Sequence, residues 1–220
     1  EMMLAVENLR FFEVYNGHPG VNNAGDAWCA STDRMWDIVL AFRLSQPNGK
    51  LLYGVATDDA HSYYGGRAGP GRGWIMVRSA MLTPEALFDA MDKGDFYATT
   101  GVTLRDIHLQ GDIVHVEIEP KEGEEYVTEY VGTRRGFDQT SKPTVNVKGN
   151  EIANTTSTYS EQIGEVLLRT ADTKSFCKIS NDELYVRVRV TSTAIQKDPI
   201  TGRSLGAKQR AWSQPMVVSH

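Results

Sequence analysis

The stretch Leu184–Thr191, LYVRVRVT, sets Leu184, Val186, Val188 and Val190 against Arg187 and Arg189 in strict alternation. A strand with that pattern buries one face and gives the other to water, as in an antiparallel sheet. Ile113–Glu119, IVHVEIE, repeats the device, with Val114, Val116 and Ile118 opposed to His115, Glu117 and Glu119. Val145 and Val147, and Val166 to Leu168, supply shorter strand candidates. Between them lie the turn-prone segments Lys121-Glu122-Gly123, Arg135-Gly136-Phe137-Asp138 and Pro199-Ile200-Thr201-Gly202. No amphipathic helix of useful length follows Lys93. Residues 105–220 therefore read as an antiparallel, sandwich-like β domain.

Working back toward the start, the pattern changes. Leu9–Tyr15 (LRFFEVY), Leu51–Thr57 (LLYGVAT) and Asp95–Thr100 (DFYATT) are apolar runs of strand length. Between the first two, Met35, Ile38, Val39 and Phe42 recur at helical spacing, with Ser31, Thr32 or Asp33 as candidate N-caps. A second helix opens at Thr83-Pro84-Glu85 and stops at Gly94, with Thr83 as cap and Pro84 at the first helical position. Strands alternating with helices predict parallel βα units over residues 1–104. Three strands and two helices are too few to close a barrel, for which about 250 residues are typical. The unpaired strand edges they would leave make self-association into a homo-oligomer physically reasonable.

The bulk numbers narrow the function. The chain has 220 residues, 40% of them hydrophobic, enough for one large domain or two modest ones. A formal charge of −5 and a pI near 5.6 argue against a nucleic-acid partner. No stretch reaches the roughly 20 apolar residues of a membrane-spanning helix. Cys29 and Cys177 form no C-x-x-C pattern and read as isolated thiols. The chain opens on Glu1 and runs at once into apolar residues, which reads as an interior start rather than a signal peptide.

Chemistry-bearing residues gather behind two of the apolar runs. Gly54–His61, GVATDDAH, places Asp59 and His61 just past a strand end, where ligands collect in α/β folds. A carboxylate and an imidazole there suit a divalent ion such as Zn, Mn or Fe; the alternative is that Asp58 and Asp59 cap the next element and His61 is a surface residue. Glu13–His18, EVYNGH, ends the preceding strand, and a parallel arrangement brings Glu13, Asn16 and His18 to the same rim. Glu13 sits inside an apolar run, where an unpaired carboxylate is costly; His18 also fits a plain turn beside Gly17, Pro19 and Gly20. Gly65–Gly73, GGRAGPGRG, lacks the Gly-Lys-Ser/Thr ending of a phosphate loop. It reads either as a flexible solvent loop or as a flap from which Arg67 or Arg72 reaches a small anionic substrate. There is no G-x-S-x-G elbow, His-Glu-x-x-His helix or dinucleotide fingerprint.

Four segments together resemble a known family: FFEVYNG at 11–17, WDIVL at 36–40, GVATDDAH at 54–61 and GRGWIMVRSAMLTPEALFDAMDKGDFYATTGV at 71–102. They look like the C-terminal half of PHP-domain proteins, the polymerase-and-histidinol-phosphatase family of metal-dependent phosphoesterases, over roughly residues 9–104. LYVRVRVTS and RAWSQPMVV match bacterial members with an appended β domain more loosely. The resemblance implies an incomplete (β/α) barrel segment followed by a β-sandwich-like domain, with Asp59 and His61 as catalytic metal ligands. It places Asn16 near a usual histidine ligand and implies hydrolysis of a phosphoester or related ester by metal-activated water. Relatives of this kind are often exported, which favours export over a cytoplasmic location by analogy. The family's opening His-x-His motif is absent, so the expectation is a portion of a larger enzyme with an incomplete site. The alternative is a non-catalytic binding or structural protein with a degenerate half barrel.

Overall fold

A computed structural model describes residues 2–218 except 7, 65, 66 and 154. Among the described residues there are three helices, α1 (Met2–Ala5), α2 (Thr32–Leu44) and α3 (Pro84–Lys93). The strands of the first half are β1 (Phe11–Asn16), β2 (Tyr53–Thr57), β3 (Trp74–Val77) and β4 (Phe96–Thr99). Those of the second are β5 (Leu104–Gln110), β6 (Ile113–Ile118), β7 (Tyr126–Arg134), β8 (Ser141–Lys142), β9 (Thr158–Tyr159), β10 (Glu165–Thr170), β11 (Lys174–Lys178), β12 (Glu183–Lys197) and β13 (Ser204–Ser213). No helix among the described residues is long and apolar enough to cross a membrane.

Local chemistry sets the helix ends. The Ser31 side chain accepts from the Arg34 N–H and starts α2. Thr83 does the same for Ala86 at the start of α3, with Pro84 next to it. Gly94 closes α3 at φ 78°, a left-handed conformation that a side chain would strain.

The expected half barrel is not there. Among the described residues only β1 and β2 pair in parallel. The remaining strands form antiparallel sheets, the largest ordered β10-β7-β12-β13-β4-β3. This corrects the reading of residues 1–104 as barrel units, and the central sheet draws strands from both sides of the 104/105 boundary. The reason lies in the connection through α3. The Arg78 N–H donates to the Asp95 carbonyl at 2.8 Å, so the chain leaves the end of β3 and returns at the same end. A helix inserted that way is an excursion within a hairpin, and β4 must run antiparallel to β3. Only Ala90 of α3 is buried, so the helix covers little of the sheet.

The six-stranded sheet is the middle layer. One face carries Tyr130, Val186, Val188 and Val190 against Val114, Val116 and Ile118 of the three-stranded sheet β11-β6-β5. Here β6 follows the expected alternation, each of its three buried residues being a valine or isoleucine of the inner face. On the other face α2, over β12 and β7, and the β1–β2 pair, beside β3 and β4, both pack against the sheet, with Trp36, Leu40, Val14, Ala56 and Trp212 buried together. The α2 layer overturns one expectation for LYVRVRVT. Its alternation puts Arg187 on the solvated face, yet the residue is fully buried beneath the helix.

Hydrogen bonds and close packing join the β1–β2 pair to this core. The Gln214 amide accepts from the Gly54 N–H at 2.8 Å and donates to the Gly54 carbonyl at 2.9 Å, standing in for a neighbouring strand. Gly54 lies so close to the Trp36 ring that an added Cβ would stand 2.6 Å from it. The Trp36 indole N–H in turn donates to the Leu52 carbonyl at 2.8 Å.

Candidate functional site at the ends of the parallel strands

The C-terminal ends of β1 and β2 bring together residues that are more than forty positions apart. Asn16 is the partner of Thr57 in the ladder. The register slips by one residue between Glu13 and Tyr15, so Val14 is an extra residue on β1. Such a bulge re-aims the side chains beside it. Glu13 and Asn16, which a regular strand would send to opposite faces, lie side by side with Asn16 Nδ2 3.1 Å from Glu13 Oε2.

From there the rim is a chain of hydrogen bonds. The Thr57 hydroxyl donates to Glu13 Oε1 at 2.7 Å. Asn16 Nδ2 also reaches Asp59 Oδ2 at 3.4 Å, and Asn16 Oδ1 accepts from the His18 N–H at 2.8 Å. Asn23 holds the Asn16 backbone from the other side, accepting from its N–H and donating to its carbonyl. The rings of His18 and His61 meet edge to face, their centroids 5.4 Å apart. Asp59 holds a left-handed backbone at φ 47°. That conformation is uncommon for a residue with a side chain and recurs at functional sites.

The two imidazoles are turned in opposite senses. His18 Nδ1 accepts from the Gly20 N–H at 3.0 Å, so in the neutral ring the proton sits on Nε2. His61 Nδ1 lies 2.7 Å from the Asp59 carbonyl oxygen, which can only accept, so the proton sits on Nδ1 and Nε2 keeps its lone pair. The His61 side chain is 66% exposed, leaving that lone pair open to solvent.

No protein-family model matches the chain, and no curated protein or solved structure matches it either.

Not every expected residue reaches this rim with a free group. Glu13, Asn16, His18, Asp59 and His61 are brought together there. A metal site built from them is not found: among the described residues no three or more His, Cys, Asp or Glu side chains are placed to hold an ion. The bonding explains this. Glu13 is engaged by Thr57 and Asn16, Asn16 contributes a neutral amide, and each His Nδ1 faces a backbone group. Residues 65 and 66 of the glycine-rich loop lie outside the described residues. Arg67 is exposed.

Arg72 is buried instead. Its Nε and Nη2 donate to Asp198 Oδ2 at 3.1 and 2.5 Å, and its Nη1 to the Gly17 carbonyl at 3.2 Å. Its charge is committed to the turn between β12 and β13 and is not presented to a substrate. The hydrogen bond from Arg72 is the largest of several that hold the Asp198 carboxyl at about 2, against an ordinary value of 3.8. Thr201 adds two more, from its N–H and its hydroxyl.

Asp58 is the residue whose role the sequence concealed. Its carboxylate accepts from the N–H groups of Gly71, Arg72 and Gly73 at 2.8, 2.6 and 2.9 Å. It thus fastens the end of the glycine-rich loop beside the rim, while its neighbour Asp59 faces Asn16. Nothing in the dipeptide itself distinguishes the two acids; the loop that Asp58 binds does.

Proposed function

We propose that the rim of β1 and β2 is part of a hydrolase site acting on a phosphoester or a related ester. The observation that carries this reading is the pair of neighbouring imidazoles with opposite proton placement. His61 Nε2 is suited to take a proton from an attacking water, and His18 Nε2–H to give one to the departing oxygen. The water oxygen bonds to phosphorus or to the acyl carbon as the ester C–O or P–O bond breaks, and proton exchange with solvent restores both rings. Asp59 orients His61 through its carbonyl, and Arg67 supplies a positive charge for an anionic group. The segments that resemble PHP-domain phosphoesterases point to the same substrate class. The Zn, Mn or Fe ion implied by that resemblance finds fewer than the three protein ligands a catalytic site usually needs, so no step is assigned to it.

A second reading is a non-catalytic binding or structural protein, favoured by that same shortage of converging donors. An assay of p-nitrophenyl phosphate, its diester and p-nitrophenyl acetate, each with and without Zn, Mn and Fe salts, separates the two. The hydrolase reading expects turnover of at least one ester, lowered about 10²-fold or more by His61→Asn and by His18→Asn. Absence of turnover under every condition would leave the binding protein. Turnover that appears only with an added ion would mean that donors from another segment or a second copy complete the site.

A further inference from the structure

On the far side of the molecule, β5 and β6 pair antiparallel with His108 directly opposite His115. The two rings stack, with centroids 4.9 Å apart and planes 11° from parallel. Strand alternation puts Asp106 on the same face, and its Oδ2 lies 2.8 Å from His108 Nδ1. The other carboxylate oxygen accepts from Arg78 Nη2 at 2.6 Å, so Asp106 is fixed from both sides. An Nδ1–H given to Asp106 leaves His108 Nε2 as a lone pair. A carboxylate that orients an imidazole through its far nitrogen is the arrangement that stands behind metal-bound histidines.

We propose that His108 and His115 form a two-imidazole site for a borderline divalent ion such as Zn²⁺, Cu²⁺ or Ni²⁺, with Asp106 as a positioning residue. His108 binds through Nε2 and water fills the other positions; because lone pairs lie in the ring planes, His115 must turn its ring out of the stack to aim a nitrogen at the same ion. Imidazole nitrogen suits these ions better than it suits Mg²⁺ or Ca²⁺. The other acid on this face, Glu117, is paired with Arg105 and Lys174 at 3.1 Å each and does not compete. With two protein donors the affinity is modest, and the ion acts as a clip between adjacent strands. This inference is independent of the rim and of the hydrolase reading.

The test is a Zn²⁺ titration of the whole chain at mildly alkaline pH, read by histidine ring resonances and by the melting temperature. Excess Zn²⁺ is expected to shift the ring signals of His108 and His115 and to raise the melting temperature, because an ion that binds only the folded state stabilises it. His108→Asn and His115→Asn should each remove the rise, Asp106→Asn should weaken binding about 10–100-fold, and His61→Asn should leave it intact. The proposal is overturned if Zn²⁺, Cu²⁺ and Ni²⁺ in excess leave those two ring signals unmoved. It is equally overturned if the response survives His108→Asn and disappears with His61→Asn. The ring signals are read on the unaltered chain, so the result does not depend on any variant folding.

Discussion

Two polar clusters, each with two carboxylates, lie at different depths in the molecule, and their bonding is opposite. The rim at the ends of β1 and β2 holds Glu13, Asp59, His18 and His61 near the surface, with ring nitrogens left open. The other cluster joins Asp33 and Asp37 of α2 to Arg187 of β12 in the interior. Arg187 donates through Nε and Nη2 to the two oxygens of Asp37 at 2.8 and 2.6 Å, and Nη2 reaches Asp33 at 2.9 Å. The Trp36 ring lies beside its guanidinium, 4.8 Å from centroid to Cζ, and the Tyr185 hydroxyl donates to Asp37 at 2.9 Å. Burial works to raise the Asp33 carboxyl, yet Arg187, Arg189 and the Trp212 N–H together hold it below its ordinary value. Inside, nearly every polar atom is spent on another; of Arg187, Nη1 alone lacks a partner. At the surface the geometry leaves groups free to act. What separates the two clusters is how far their polar atoms are satisfied.

That contrast breaks most sharply at Asp37. Removing one member of a buried charge pair strands the other, so Asp37→Ala is expected to cost about 3–5 kcal/mol, read by urea unfolding. A triple replacement, Asp37→Leu and Arg187→Met with Asp33→Asn so that no buried carboxylate loses its partner, should recover most of the loss. Recovery no better than the single variant would mean that the pair is itself a net source of stability.

The layer that buries this cluster is tested at Gly54. An alanine there meets the Trp36 ring at 2.6 Å, and overpacking of a filled core costs about 1–3 kcal/mol. A melting temperature unchanged by Gly54→Ala would show that α2 yields easily from the β1–β2 pair.

Asp198 sharpens the contrast through pH. Its pKa is lowered in the folded chain, to about 2 from 3.8. The stabilisation is complete above the ordinary value and is lost as pH falls from there through about 2. Acid unfolding followed across that window should be shallower in Asp198→Asn, while the two proteins keep a constant difference near neutrality. Identical acid limbs would place the titration elsewhere.

The smallest effect on stability is expected at His61. With an exposed side chain whose one hydrogen bond goes to the Asp59 carbonyl, it should change stability by less than about 0.5 kcal/mol as His61→Asn. A larger loss would make the rim a structural cluster like the interior one.

Much of the local structure is legible in the sequence. The caps at Ser31 and Thr83, the stop at Gly94 and the alternation of β6 rest on side chains within four positions of the backbone they satisfy. The gathering of Glu13, Asn16, His18, Asp59 and His61 is also legible, because β1 and β2 do run in parallel with the intervening helix as their crossover. The same reasoning failed for β4: Trp74–Val77 carries no strand signal in the sequence reading, so α3 looks like a crossover from β2 to β4, whereas β3 intervenes and pairs with β4 as a hairpin.

What the sequence by itself determined is where α2, α3, β1, β2, β4 and β6 lie and, for β6, which side is apolar, because those choices are made by neighbours along the chain. Only the tertiary structure decided the pairing of β4 with β13, the burial of Arg187 under α2, and the tie between Arg72 and Asp198. Those partners lie more than a hundred residues apart. An arginine reads as solvated until a distant helix supplies two carboxylates to meet it, and no local pattern carries that information.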